Sequence, residues 1–197
     1  FLSMIPSAYT SNFKSVNTKG SFSIKAAVKG LFNESTFPVF NVDLTVDDAY
    51  FKYPDLALPV QDIQAKLHIN SPSSDLDKLL IDVEKLHFKI GSHPFEGQLK
   101  LQQLLSDPSI EAKVQTNLDL AALSQAFPLA SVQDLSGRLE ASLRTKTKMS
   151  FINNKEYDKV EMQGALLVKN MQLKARKLAM INLSTLNIDF SPTAATL

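Results

Sequence analysis

"FKYPDLALPVQDI", residues 51–63, interrupts two stretches of regular alternation. Before it, Phe40, Val42, Leu44 and Val46 alternate with Asn41, Asp43 and Thr45. After it, Ile63, Ala65, Leu67 and Ile69 alternate with Gln64, Lys66 and His68. Side chains of a strand point to opposite faces with period two, so both flanks read as half-buried strands. Pro54 and Pro59 cannot donate a ladder hydrogen bond, so the stretch between is a rigid aromatic link rather than strand.

The same alternation runs through most of the chain. Phe22, Ile24, Ala26 and Val28 share one face, with Ser21, Ser23, Lys25 and Lys29 opposite. Further ladders are Leu86, Phe88, Ile90; Phe95, Gly97, Leu99, Leu101; and Ile110, Ala112, Val114. Later ones are Leu139, Ala141, Leu143; Val160, Met162, Gly164, Leu166, Val168; and Leu186, Ile188, Phe190. Such ladders fit antiparallel strands with one apolar and one wet face. Gly91 and Pro94 in "IGSHPFEG" mark a hairpin turn.

Helical signal is sparse. "DLAALSQAFPL" offers Asp119 as N-cap, Leu120, Leu123 and Phe127 at helical spacing, and Pro128 as a stop. "PSAYTSNF" and the "SSDLDKLL" region have room for a turn or two each. The expected fold is mainly β (α+β): an extended antiparallel sheet of about ten strands, with a few short helices. At about 4.8 Å per strand such a sheet is about 45–50 Å across.

The chain also resembles itself. In "LTVDDAYFKYPDLAL" and "LLVKNMQLKARKLAM", Leu44 aligns with Leu166, Val46 with Val168, and Phe51 with Leu173. After a one-residue shift Ala65, Leu67 and Ile69 align with Leu186, Ile188 and Phe190. Upstream, Gly20, Phe22 and Ile24 align with Gly137, Leu139 and Ala141. This outlines an internal repeat over residues 20–70 and 137–190. Each copy reads as a strand, a polar turn (Asp47-Asp48 or Lys169-Asn170), a short apolar piece and a second strand.

Composition narrows the function. The 197 residues suffice for one domain with a sizeable core, and 44% hydrophobic content is that of a folded chain. A net charge of +1, from 21 basic and 20 acidic residues, lacks the basic excess of a nucleic-acid binder. Without cysteine there are no disulfides or thiolate metal sites. No apolar run approaches the ~20 residues of a membrane span. The opening on Phe1, without a basic region or cleavage pattern, reads as a piece of a longer protein.

Catalysis has little to stand on. His68 and His87 fall on wet strand faces and His93 falls in the turn before Pro94, with no metal-ligand spacing among them. The six glycines form no phosphate loop or nucleophile elbow. Asp75 and Asp77 in "SDLD" lack the glycine and glutamate of a calcium loop and suit a turn or helix start. Arg144, Lys146 and Lys148 share a strand face, and Lys174, Arg176 and Lys177 form a second group. They read as a solvated or edge-protecting face, or as a contact for lipid phosphates.

The runs "PSAYTSNFKSVNTKGSFSIKAAVKG", "FPVFNVDLTVDDAYFKYPDLALPVQDI", "SDPSIEAKVQTNLDLAAL", "LSGRLEASLRTKTKMS" and "INLSTLNIDFSP" together resemble the C-terminal part of AsmA-family envelope proteins, in their Bacteroidetes-type versions. The likeness spans about residues 6–192, and "FKYPDLALPVQDI" is its most specific element. It implies a periplasmic segment of an inner-membrane-anchored protein, associated with outer-membrane biogenesis and similar to bridge-like lipid transfer proteins, and hence a sheet curved into a groove or half-pipe. It implies no enzyme activity, no catalytic residues, no cofactor and no metal. The implied partners are phospholipid or another lipid and the remainder of the parent protein. Phe51, Tyr53, Pro54, Leu56 and Pro59 match the family's motif and are expected to be architectural. The expected lipid-facing wall is Phe22, Ile24, Val28, Phe40, Val42, Leu44, Val46, Leu67, Ile69, Leu139, Leu143, Met162, Leu166, Val168, Ile188 and Phe190. The alternative expectation is a scaffold whose sheet closes over a filled core and adds strands to a partner through its edges.

Overall fold

In the computed structural model, residues 17–31, 37–127, 129, 131–176 and 179–191 are described. The turns expected over "PSAYTSNF", the stop at Pro128, and Lys177 lie outside them. The strands are β1 (Asn17–Lys29), β2 (Val39–Lys52), β3 (Val60–Ser71), β4 (Leu80–Ile90), β5 (His93–Gln102), β6 (Ser109–Asp119), β7 (Val132–Lys148), β8 (Glu161–Ala175) and β9 (Ile181–Phe190). Helix α1 (Leu120–Ala126) joins β6 to β7, and α2 (Met149–Asn153) follows β7. Short 3₁₀ turns occupy Leu76–Lys78 and Tyr157–Lys159.

The strands form one nine-stranded sheet in chain order, every neighbouring pair antiparallel. It is an open sheet with β1 and β9 as its edges. This is the mainly β, antiparallel fold that the alternation leads one to expect, with nine strands where about ten were expected. Because the order never crosses over, the β1–β2, β3–β4, β5–β6 and β7–β8 connections share one rim. The β2–β3 link, the β4–β5 turn, α1 and the β8–β9 connection share the other.

Two local expectations change. Pro94 is not in the hairpin turn but within β5, opposite Lys89, and His93 is the first residue of that strand. The turn is carried by Gly91, whose φ of 60° needs no Cβ. The polar turns expected at Asp47-Asp48 and Lys169-Asn170 are bulges, through which β2 and β8 continue to Lys52 and Ala175.

The bulges recur in the same form. Between Lys19 and Ser21 the β1 register slips, so that β2 carries one residue more than β1; the same occurs between Ser136 and Arg138, where the extra residue is on β8. The inserted strand holds Asp48 (φ 48°) in one case and Asn170 (φ 49°) in the other. Opposite stand Gly20 (φ 124°) and Gly137 (φ 113°). A Cβ on Gly20 would lie 2.5 Å from Ala49 Cα, and one on Gly137 would lie 2.7 Å from Met171 Cα. Around the bulges, residues that align in sequence are opposed alike. Phe22 faces Val46 and Ile24 faces Leu44, while Leu139 faces Val168 and Ala141 faces Leu166. Leu44 faces Leu67 as Leu166 faces Ile188. The units differ beyond that point: β2–β3 slips after Val46, whereas β8–β9 holds its register.

Carboxylates stitch the first rim. Asp75 caps the 3₁₀ turn by accepting from Asp77 N. Asp77 then reaches the β5–β6 loop, accepting from Leu105 N, Ser106 N and Ser106 Oγ at 3.1, 2.9 and 2.6 Å. Asp107 accepts in turn from Ser150 N and Oγ, both at 2.9 Å, at the start of α2. Three successive connections are thereby joined.

Replacing Gly137 with Ala is expected to cost about 1–3 kcal/mol, because both φ and space are wrong for a side chain. Gly91→Ala, at positive φ but with nothing within 4 Å, should cost only about 1 kcal/mol. Urea unfolding midpoints of the two variants measure the difference. The hydrogen bonds from Ser106 hold the Asp77 carboxyl below its ordinary range, and those from Ser150 do so for Asp107. A lowered folded-state pKa stabilises above the ordinary carboxylate range and is lost as pH falls through the lowered value. The melting-temperature gap between wild type and Asp107→Asn should therefore be full at pH 7 and shrink in acid below the usual aspartate range.

Candidate functional site

Directly opposed residues in a ladder share a face, so the register defines rows across the sheet. One row runs Ile24, Leu44, Leu67, Val83, Leu99, Ala112, then Thr145 and Met162. The next runs Phe22, Val46, Ala65, Leu86, Gly97, Val114, then Leu143, Gly164 and Phe190. Parallel rows carry Ala26, Val42, Ile69, Ile81, Leu101 and Ile110, and Phe88, Phe95, Thr116, Ala141, Leu166 and Ile188. Val28 opposes Phe40, and Leu139 opposes Val168, on the same side. Every residue expected in the lipid-facing wall thus lies on one apolar face. That expectation drew on β1–β3 and β7–β9 and left out the middle of the face, where Val83, Leu86, Leu99, Leu101, Ile110 and Val114 stand. The alternation that marks the outer strands marks these too.

Among the described residues the face is covered at one place. Val60, Ile90, Leu118, Ala122 and Ala126 form a buried cluster, with Phe51, Leu58, Ile63, Phe88, Phe95, Leu123, Phe127 and Leu139 packed against it. Asp119 starts α1 by accepting from Ala121 N and Ala122 N at 2.8 and 3.2 Å. The helix turns Ala122 and Ala126 down onto the sheet, Ala126 being 1% exposed. The "FKYPDLALPVQDI" link docks beside it. Leu58 N donates to Gln125 O at 3.0 Å, and the Phe51 ring meets Phe127 edge-on at 5.8 Å and Tyr53 at 5.9 Å. Pro54 is exposed and Pro59 half-buried just before buried Val60. The motif's role is therefore visible as packing: it ties the end of β2 and the start of β3 to α1.

Beyond α1 the apolar residues of the inner strands are half-buried and those of β1 are exposed. Ile24 is 50% exposed and Val28 67%. Buried apolar residues among those described are confined to the α1 cluster and its neighbours Leu120, Ala141 and Val168.

The opposite face is charged in alternating order. His68, Asp82, Lys100, Glu111, Lys146 and Glu161 oppose one another in sequence across β3 to β8. Lys146 meets Glu111 at 3.0 Å, which raises the lysine pKa and lowers that of the glutamate. His68 Nδ1 lies 2.7 Å from Asp43, and His87 pairs with Glu96. His93 Nδ1 lies 3.1 Å from Asn117 O. A recess of about 640 Å³ opens on this side, walled by long side chains such as Gln98, Lys113 and Arg144. It belongs to the wet face and not to the apolar one. Arg144, Lys146 and Lys148 stand on the wet face, Lys148 lying 3.7 Å from Asp107. Among the described residues, no group of three His, Asp or Glu is placed to hold a metal ion, and no helix is long and apolar enough to cross a membrane.

No protein-family model, curated protein or solved structure matches the chain.

If the face is open in solution, truncating it should be cheap where α1 is absent. Ile90→Ala, under α1, is expected to cost about 2–5 kcal/mol. Leu67→Ala, on the uncovered part, should cost about 1 kcal/mol, since part of its surface is already in water. Equal costs in chemical denaturation would mean that something covers Leu67.

Proposed function

We propose that this chain is a non-enzymatic, lipid-handling segment of an AsmA-like envelope protein, whose apolar face shelters phospholipid acyl chains. The observation that carries this reading is the apolar face itself, continuous through nine strands and, among the described residues, covered only at α1. Soluble monomers rarely leave so large an apolar surface without an occupant. Acyl chains suit it because each CH₂ removed from water contributes about 0.8 kcal/mol, whatever its position along the face. A tail moving from one strand to the next therefore exchanges like contacts for like. The resemblance of the motif around Phe51, Tyr53, Pro54, Leu56 and Pro59 supports the envelope part of this reading: a periplasmic segment of an inner-membrane-anchored protein that serves outer-membrane biogenesis.

A second reading has its own observation. Both edge strands are open, β1 exposed along its whole length and β9 along most of it. A scaffold that adds strands to a partner would use such edges. It would also be expected to fill its core, and here the buried cluster is restricted to the α1 end.

Native mass spectrometry with lipid extraction, on protein purified from bacterial membranes, separates the two. Phospholipid is expected to accompany the wild type and to fall about tenfold or more in Leu44→Glu and Leu99→Glu, a loss of ~1.4 kcal/mol or more in tail binding. Circular dichroism checks that both variants stay folded. A lipid-free wild type, or equal lipid in folded variants, would favour the scaffold.

A further inference from the structure

The two rims of the sheet differ in what they expose. On the rim made by the β1–β2, β3–β4, β5–β6 and β7–β8 connections, Leu31 is 77% exposed, Leu105 71%, Tyr157 65% and Ile152 41%. Phe37 and Val39, at the start of β2, are exposed on the same rim. On the opposite rim, α1 and the proline link turn their apolar side chains onto the sheet, and the exposed large apolar residues described there are Met180 and Ile181. Single exposed leucines are ordinary, but a row of them at one edge is not.

We infer that this first rim is a docking edge for a lipid bilayer surface. Its apolar tips are presented and not merely loose. The backbone N–H of Leu105 is held by Asp77, while its side chain is exposed. Ile152 sits in α2, whose start is fastened to Asp107. Tyr157 begins the following 3₁₀ turn, beside Lys159, which lies 5.5 Å from the Phe151 ring centre.

Charge decides the kind of surface. Lys78 lies 3.9 Å from Asp75, Lys148 3.7 Å from Asp107, and Lys159 2.9 Å from Glu156. Lys29 and Lys155 add two further cations to this rim and Asp77 and Asp158 two further carboxylates, so among the described residues it offers neither a basic patch for anionic lipids nor an acidic one that would repel them. Affinity rests instead on apolar insertion, which scales with buried apolar area, with the tyrosine ring suited to the headgroup level. Leu31 and Phe37 lie at the β1–β2 connection, Leu105 four strands on at about 20 Å, and Ile152 and Tyr157 two strands further at about 10 Å. Separate tips at those spacings favour a fluid layer that closes around each, whereas a protein partner would need a continuous complementary surface. The docking edge extends the lipid-handling reading above, and a different part of the molecule carries it.

Co-sedimentation with phosphatidylcholine vesicles tests it. Wild type is expected to sediment equally at 0.1 and 0.5 M salt, roughly, since apolar insertion is little screened. The triple variant Leu105→Glu, Ile152→Glu, Tyr157→Glu alters only exposed or nearly exposed positions and should stay folded by circular dichroism. Its vesicle affinity should drop about tenfold or more, equivalent to ~1.4 kcal/mol or more. Absence of wild-type binding, unchanged binding in the variant, or binding confined to anionic vesicles and removed by salt would overturn the inference. Phospholipid retained in native mass spectrometry should be the same in wild type and variant, because the apolar face is untouched. A lipid-free protein that still docks on vesicles would overturn the tail-sheltering proposal and leave the docking edge standing.

Discussion

Packing between directly opposed side chains of neighbouring strands is the interaction on which this sheet depends. A sandwich shares its core between two layers, but among the described residues most of this sheet has one layer. Ile24 against Leu44, Leu44 against Leu67, and Leu99 against Ala112 must therefore supply in lateral contact what a second layer would supply face to face. Each opposed pair is worth only about 0.2–1 kcal/mol. Stability comes from many such pairs in unbroken register, and a one-residue slip would turn the apolar residues of a strand to the wet side.

That dependence explains why backbone irregularities are so tightly specified. Asp48 and Asn170 take left-handed conformations within strands, where short polar side chains are the best tolerated apart from glycine. Gly20 and Gly137 stand opposite because the inserted residue pushes the neighbouring backbone into the space of a Cβ. Bulges increase local twist and bend a strand, so the same device at the β1–β2 and β7–β8 pairs imposes similar shape at two distant places. The carboxylate stitches from Asp77 and Asp107 add a second restraint, holding the connections in line where the strands leave the sheet.

Alternation made the faces legible in the sequence. A residue such as Val168 could be assigned to the apolar face from its neighbours alone, because period two leaves no other choice once the strand is recognised. Helix α1 was legible for a similarly local reason, Asp119 preceding a leucine-alanine run. The bulges were mistaken for turns because Asp47-Asp48 and Lys169-Asn170 have turn composition; only the glycine across the ladder distinguishes the cases, and it is remote in sequence. The docking of "FKYPDLALPVQDI" on α1 was equally hidden. Leu58 meets Gln125 through main-chain atoms, which leave no mark on residue type. The stitch from Asp107 to Ser150 joins residues 43 apart.

The wet face gives the uncovered apolar face its meaning. From Asp82 through Lys100, Glu111 and Lys146 to Glu161, successive strands present opposite charges to one another. Opposite charges in direct register favour this strand order, and burying such a row without complete pairing would cost several kcal/mol per ion. The charged side is thus committed to water, and the sheet cannot fold over to bury both faces. At the edge, Lys19, Lys25 and Lys29 on β1 discourage uncontrolled strand addition. The described residues thus protect one face with charge and an edge with lysine, yet leave Ile24 half exposed and Leu67 only half-buried on the other. On the lipid-handling function proposed above, fluid acyl chains would suit that face. They conform to rows of Val, Ile, Leu and Phe without requiring the shape complementarity that a second protein layer would have to provide.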